Sequence, residues 1–492
     1  MQKQAGKLAK IILDSGFVKV VSHIDADGIS AGSIAVIALE RAGIEHEILF
    51  VKQLDNEVLD KLRADKPELC WFTDLGTGMG THMSGINAVI TDHHLPDKNS
   101  GKGLWSFHKP NQLNPHDFDM DGDVELSGSG ATYLVAREMG KLARDQDTKQ
   151  GGSQSTKKSG GQDVNIQTPS DNTDLAQLAV VGAVGDLQDR RARALTGMNK
   201  EIALEGEKAG VVKALDDIFL FGRETRALYK LLQYASDPEL PGLTGDRNAS
   251  TSFLEGIGLK LSSGEKWKTW VQLSDAERKR LASALVKHVM ATTGDKEKAM
   301  AIFGEVYVFP KEEEGTELHD AKEFSTMLNS CGRYGKAEIG MRLCMGDRDE
   351  ALKEAKNMLT GHRQNLVSCL NWIKEEGVVE MKHLRWFHGM DRVQDSVVGT
   401  VANMLLGSKE FKDDKCMFGF ANDLDTGMVK VSGRANRRLV SKGVDLSVLI
   451  GKVAGELGGH GGGHAVAAGG HIPEGKEQEF VKRMDELLGA SL

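Results

Sequence analysis

Four times between residues 17 and 186 the chain runs a short apolar segment into an aspartate: FVKVVSHID (17–25), LCWFTD (69–74), NAVITD (87–92) and LAVVGAVGD (178–186). Apolar runs of this length, separated by helical stretches such as GISAGSIAVIALERAG (28–43), predict strands covered on both faces. The fold class that follows is α/β with a parallel sheet, and its ligand site lies beyond the carboxyl ends of the strands. The third run continues from Asp92 into His93 and His94. Three adjacent polar groups at the end of an apolar strand are costly to bury unless something binds them.

Other residues supply what that something needs. SHIDADG places His23, Asp25 and Asp27 at alternate positions, and on an extended strand end all three side chains project to one side. Together with Asp74, Asp92, His93, His94 and Asp186 they make a mixed aspartate and histidine cluster, suited to manganese or magnesium rather than to a thiolate-seeking metal. A carboxylate-rich set of this size predicts two ions, with Asp74 as the natural bridge. A pair of ions roughly 3.5–4 Å apart serves phosphoester hydrolysis. Any one of these aspartates taken alone is an ordinary cap or turn residue. Four segment ends that all carry such residues favour the metal reading.

The rest of the chain sets the organisation. Residues 144–173 hold only Val164 and Ile166 as large apolar side chains, too few to offset the entropy of ordering them, and predict a disordered insertion within one domain. Residues 215–375 read as mainly helical. SDAERKRLASALVKHVM (274–290) opens with a capping box from Ser274 to Glu277 and puts Leu281, Leu285 and Val289 on one face, with His288 beside it as a packing residue. The last hundred residues alternate again, with strands in KCMFGFAND and GMVKVSGRANRR before a glycine-rich run and a closing helix. The five cysteines form no CxxC pair, which counts against a zinc site and a disulfide framework. A net charge of −9 excludes a broadly basic nucleic-acid footprint, so positive charge for a polyanion must be local. No apolar run approaches a membrane span, and the amino terminus lacks a signal-peptide core. A cytoplasmic protein with no membrane partner is the expectation.

HIDADG, TDLG, TDHH and GAVGD resemble, in order and rough spacing, the four motifs of the DHH phosphoesterase superfamily, and GGHGGGHAVAAGG resembles the signature of its DHHA1 domain. Residues 218–244 and 324–347 are similar to segments of archaeal RecJ-type single-strand exonucleases, including the GINS-associated nucleases. The resemblance implies a DHH phosphoesterase domain over 1–210, a mainly helical insert and connecting region over 215–380, and a smaller α/β DHHA1-like substrate-binding domain over 385–492. It implies one metal held by His23, Asp25 and Asp74 and a second by Asp27, Asp74, His93 and Asp186. His94 then faces substrate at the scissile phosphate or the leaving oxygen, and Asp92 orients its neighbours. Arg333, Ser432 and Arg434 match positions that contact backbone phosphates, and Gly462, Gly463 and His464 belong to the glycine-histidine signature. The implied activity is removal of nucleotides from an end of single-stranded nucleic acid, with two divalent ions, manganese ahead of magnesium, and with GINS or other replisome proteins as candidate partners. A small-substrate hydrolase and a replication scaffold of the same family are the alternatives.

Overall fold

The computed structural model of the protein describes residues 1–96, 111–149, 171–264, 266–408, 410–411, 414–424 and 426–491. The chain divides into two compact units, Met1–Asn357 and Met358–Leu492. The first takes in both the 1–210 region and most of 215–380.

The first unit is built on strands β1 (Phe17–His23), β2 (Glu45–Val51), β3 (Leu69–Thr73), β4 (Ala88–Thr91) and β5 (Asn111–Leu113). They form one sheet in the order β2-β1-β3-β4-β5, with every pairing parallel. Helices α1 (Gln2–Leu13), α2 (Ala26–Ala42), α3 (Asn56–Asp65), α4 (Gly128–Lys149), α5 (Ala176–Gly185) and α6 (Gly197–Lys208) accompany it. Both faces are buried, as the continuous apolar runs require. Val18, Val20, Trp71 and Val89 pack with Ile34, Leu39 and Tyr133 in one core, while Val21, Phe72 and Ile90 pack with Leu59 and Leu62 in another. The strand order reverses between β2 and β3 on either side of β1, so the carboxyl ends of β1 and β3 open the crevice where such sheets bind ligands.

Two expectations need correction here. LAVVGAVGD is not a strand: it lies in α5, with Asp186 as its C-terminal cap. A short run that is apolar all round fits a fully buried helix as well as a buried strand, and periodicity cannot separate the two. Alanine and glycine let this helix pack tightly against α2 and α4. The segment 144–173 is also not uniformly unstructured. Its first residues complete α4 to Lys149, and Arg144 pairs with Asp171 at 3.1 Å. Residues 150–170 lie outside the described residues.

The remainder of the first unit contains β6 (Lys213–Ile218), β7 (Ser262–Ser263), β8 (Lys266–Trp267) and β9 (Phe303–Val308). Its helices are α7 (Leu228–Gln233), α8 (Arg247–Gly256), α9 (Asp275–Thr293), α10 (Lys296–Met300), α11 (Ala321–Arg333) and α12 (Ala337–Cys344). Strands β6 and β9 pair antiparallel as a separate two-stranded sheet. In α9 the capping box of Ser274 and Glu277 is formed, and Leu281, Leu285 and Val289 are buried in a core with Leu231, Leu254 and Trp270. His288 packs against Phe253, ring centroids 5.3 Å apart.

Helix α13 (Glu350–Glu376) spans the boundary between the units. The second unit has β10 (Val379–Glu380), β11 (Leu384–His388), β12 (Cys416–Asp423), β13 (Met428–Arg434), β14 (His460–His464) and β15 (Ala467–Pro473) in one sheet, ordered β10-β11-β12-β13-β15-β14. Helices α14 (Asp395–Leu406), α15 (Arg437–Ser441), α16 (Leu446–Glu456) and α17 (Glu477–Ser491) complete it. The glycine-rich run is regular structure. It supplies the exposed edge strand β14 and, through a short turn, its partner β15.

Candidate metal centre

The carboxyl ends of three strands and the amino ends of two helices meet in one place. Ser22, Thr73 and Thr91 pair across β1, β3 and β4, so the residues one step beyond them, His23, Asp74 and Asp92, stand at a common lip. Beneath the lip runs a line of buried hydroxyls. Thr73 Oγ1 donates to Ser22 Oγ at 2.7 Å, and Thr91 Oγ1 lies 2.8 Å from Thr132 Oγ1. These short polar side chains satisfy one another, which fixes the strand ends with no charge in the core.

From the lip the ligand-type side chains divide into groups. His23 Nδ1 lies 3.0 Å from Asp25 Oδ2 and 3.6 Å from Asp74 Oδ2. His93 Nε2 lies 3.3 Å from Asp74 Oδ1, 3.7 Å from Asp186 Oδ2 and 3.9 Å from Asp27 Oδ2. Atoms of His23, Asp25 and Asp74 lie within 4.8 Å of one another, as do those of Asp27, His93 and Asp186, and those of Asp74, His93 and His94. The expectation that His23, Asp25 and Asp27 face one point from an extended strand is corrected. Strand β1 stops at His23, the chain turns, and Asp25 becomes the N-cap of α2 with its side chain accepting from Gly28 N–H at 2.9 Å. Asp27 sits in the first turn of that helix and joins His93 and Asp186 instead of His23.

Each side chain is held by identifiable neighbours. Asp27 accepts from the N–H groups of Gly128 (2.7 Å) and Ser129 (3.1 Å) at the start of α4. His93 Nδ1 donates to the Gly122 carbonyl at 2.7 Å, which turns Nε2 toward the carboxylates. Asp92 is fully engaged: it accepts from Thr77 N–H, His93 N–H and, at 2.8 Å, His94 Nδ1–H. Asp186 accepts from Gln188 Nε2 at 2.9 Å, and the same amide nitrogen donates to the Gly122 carbonyl. Gln188 thus ties two of the gathered residues together. Sequence reasoning missed it, although it stands only two positions past the GAVGD motif.

Asp74 is the exception. It is 1% exposed and neither oxygen has a hydrogen-bond donor. Its backbone sits at φ 60°, a left-handed conformation that only glycine, asparagine and aspartate visit readily. The strain aims the carboxylate between His23 and His93. A Cβ on Gly128 would come within 2.3 Å of its Oδ1, and one on Gly182 within 2.3 Å of Asp27 Oδ1, so both glycines are needed for α4 and α5 to approach the carboxylates.

The electrostatics follow from this crowding. Burial and then the Asp74 charge raise Asp27 well above the usual carboxylate range. Burial alone would lower the two imidazoles, but Asp25 raises His23 and Asp186 with Asp74 raises His93, both well above an ordinary histidine. Without metal the cluster therefore holds protons. His94, whose side chain is 49% exposed, is raised to about 9 against the effect of burial by Asp92. A bare buried carboxylate with two vacant acceptors, facing imidazole nitrogens and further carboxylates, fits divalent cations with oxygen and nitrogen preference.

The remaining candidate residues fall into two places. Arg333 ends α11 near Asp25, whose charge counters the lowering of its pKa by burial. Ser432 and Arg434 stand in β13 of the second unit, where the register runs Ser432–Gly469–Gly462 and Arg434–Ala467–His464 across three strands, with Gly463 opposite Ala468. Residues paired across a sheet share a face, so Ser432, Arg434 and His464 border one patch from which glycine and alanine remove bulk. Arg434 Nη1 also donates to the Gly433 carbonyl at 2.8 Å.

Comparison with known proteins agrees with this architecture. A DHH-CID domain model matches residues 220–302 and a DHHA1 domain model residues 385–490. An uncharacterised protein of Methanocaldococcus jannaschii is 32% identical over 491 residues, covering 98% of this chain and 96% of that one. RecJ from Thermus thermophilus in complex with Mn2+ superposes with a TM-score of 0.57 at 16% identity, over 99% of this chain and 55% of that protein, so the chain spans about half its length. A manganese-bound exonuclease RecJ gives 0.54 at 17% identity over 99% and 94%, and CDC45 from Entamoeba histolytica gives 0.63 at 11% identity over 99% of both. Among the described residues no helix is long and apolar enough to cross a membrane. The gathered motifs, both domain matches and the full-length relative together establish that the chain belongs to the DHH/DHHA1 family, with a RecJ-like fold.

Proposed function

We propose that the protein is a phosphodiesterase dependent on two divalent cations that removes nucleotides from an end of single-stranded nucleic acid. The observation that carries this reading is Asp74, a buried carboxylate with both oxygens free of donors, set by a strained backbone between two histidine-containing groups. His23, Asp25 and Asp74 would hold one ion, and Asp27, Asp74, His93 and Asp186 the other. When bound, the ions supply activation of a water and neutralisation of phosphoryl charge.

The chain's own residues do the rest. His93 keeps Nε2 available because Gly122 takes its other proton. Asp92 fixes the His94 ring through Nδ1 and keeps it cationic at neutral pH, leaving Nε2–H to donate to a phosphate oxygen or to protonate the leaving oxygen. Arg333 beside Asp25 and the Ser432–Arg434–His464 patch are assigned to backbone phosphates, where a guanidinium holds two oxygens at once. A replication scaffold with a decayed site is disfavoured by the survival of every ligand-type side chain and of the strain at Asp74.

The test uses purified protein with manganese and single strands labelled at either end, as DNA and as RNA, alongside duplexes, short oligonucleotides, cyclic dinucleotides and polyphosphate. Shortening of single strands from one end, lost by about 10²–10⁴-fold in His94→Gln, is expected. Turnover of the small substrates alone would refute the strand-end reading.

A further inference from the structure

Beside the metal centre, within the first unit, lies a cleft of about 160 Å³ that the catalytic reading does not use. It is smaller than the ~300 Å³ at which pockets for drug-sized ligands begin, the scale of one flat fragment. Its walls are attached to the ligand set at two points. Gly185 and Leu187 line it and flank Asp186 in the chain. Asn329 lines it from α11 and accepts from the N–H of Ala26, between Asp25 and Asp27, at 3.0 Å.

The lining is unusual for a structural crevice. Tyr234 presents aromatic surface and is 54% exposed, while Phe219 behind it is buried beneath Lys322. Leu187 is 53% exposed and holds φ 63°, an apolar side chain kept outward in a conformation that leucine rarely adopts. Such strain persists where the surroundings impose it, and it gathers at ligand clamps. Deeper in, Asp189 is only 1% exposed, yet neither carboxylate oxygen has a directed hydrogen bond; Lys322 Nζ lies 3.2 Å away. An aromatic and aliphatic mouth over a buried acceptor and a half-buried donor matches a nucleobase, which stacks through its faces and hydrogen-bonds through its edge.

We propose that this cleft receives the base of the nucleotide adjoining the cleaved phosphate. The assignment rests on the single-strand nuclease reading for its substrate and on the cleft alone for its chemistry. The base stacks against Tyr234 and Leu187 and meets Asp189 and Lys322 with its polar edge, which fixes the neighbouring phosphate over the metal groups.

Two measurements separate the cleft from the nuclease reading. The first is equilibrium binding of the four deoxynucleosides, which carry no phosphate, to the full chain in EDTA. Binding is expected in the wild type and lost in Ser236→Trp, which fills the cleft from an exposed rim position. The second is manganese-dependent cleavage of strands whose terminal nucleotide is intact or abasic. The intact strand should show a KM lower by at least about fivefold, the low end of one base–aromatic stack. Tyr234→Ala and Ser236→Trp should erase that difference while hydrolysis of a small chromogenic phosphodiester persists. Absent nucleoside binding, or binding unchanged in Ser236→Trp, overturns the cleft assignment. Nucleoside binding sensitive to Ser236→Trp, in a protein that cuts no strand, upholds the cleft and overturns the nuclease reading instead.

Discussion

Replacing Asp74 by asparagine tests the centre at the residue both metal groups share. Asparagine keeps the shape of the side chain and tolerates φ 60°, whereas alanine would add about 1–3 kcal/mol of backbone strain and confuse the result. A ligand at 100 times its Kd stabilises the fold by about 2.7 kcal/mol. The 357 residues of the first unit, at roughly 2.1 cal/mol/K each, have an unfolding entropy near 0.75 kcal/mol/K, so each saturated site raises Tm by about 4 °C. Calorimetry of the EDTA-treated protein with and without manganese should show a rise of about 7 °C for two such sites in the wild type and less than about 1 °C in Asp74→Asn. The metal-free variant should melt within about 3 °C of the metal-free wild type, because the charge removed also repels Asp27. The shift should shrink from pH 8 to pH 6. His23 and His93 are raised above an ordinary histidine, so manganese must displace more protons from them as pH falls. A wild-type manganese shift retained in Asp74→Asn would refute the shared-ligand arrangement.

Three further outcomes follow from particular contacts. Gly182→Ala places a Cβ against Ser129 Oγ and Asp27 Oδ1, so it should cost about 1–3 kcal/mol in denaturant unfolding and lower manganese affinity in titration; an unchanged affinity would show that α5 yields freely. Arg434→Ala should reduce the slope of log K against log salt for long single strands by about 0.7 per lost phosphate contact while sparing a small phosphodiester, and an unaltered slope would remove Arg434 from the phosphate path. Glu323, raised by burial and then by Asp320 to about 7, binds more protons folded than unfolded between its ordinary value and pH 7, so its contribution to stability falls as pH rises through that window. Glu323→Gln should therefore gain Tm on the wild type at pH 8 and not at pH 5; an equal effect at both pH values would sink that reasoning.

How much of this was legible in the sequence depends on the range of the interaction. The strands ending at His23, Thr73 and Thr91 and the capping box at Ser274 are local patterns, and they stand in the fold where periodicity puts them. LAVVGAVGD failed because a helix buried all round carries no period. The partition of Asp27 away from His23 was hidden for another reason. It depends on Gly128 and Ser129, about a hundred residues downstream, whose amides take Asp27 into the mouth of α4. The same holds for Asn329, which reaches Ala26 across some three hundred residues, and for the Gly122 carbonyl that sets the His93 tautomer. Nothing in the neighbourhood of Gly122 marks it as an acceptor.

Those long-range contacts explain why the centre can exist before any cation arrives. Five carboxylates converge on it, and most are compensated by the fold. Asp25 caps α2, Asp27 caps α4 through two amides, Asp92 accepts four donors, and Asp186 has the Gln188 amide. Helix amino ends carry partial positive charge, which offsets part of the cost of burying the first two, and His23 beside Asp25 favours its ionised form further. Asp74 receives none of this. The carboxylate left without a hydrogen-bond donor is the one that borders both histidine-containing groups. A cation bound there meets a carboxylate that no protein donor competes for, flanked by side chains already fixed in place. Binding then has little to reorganise, and its free energy goes into holding the ions rather than into building the site.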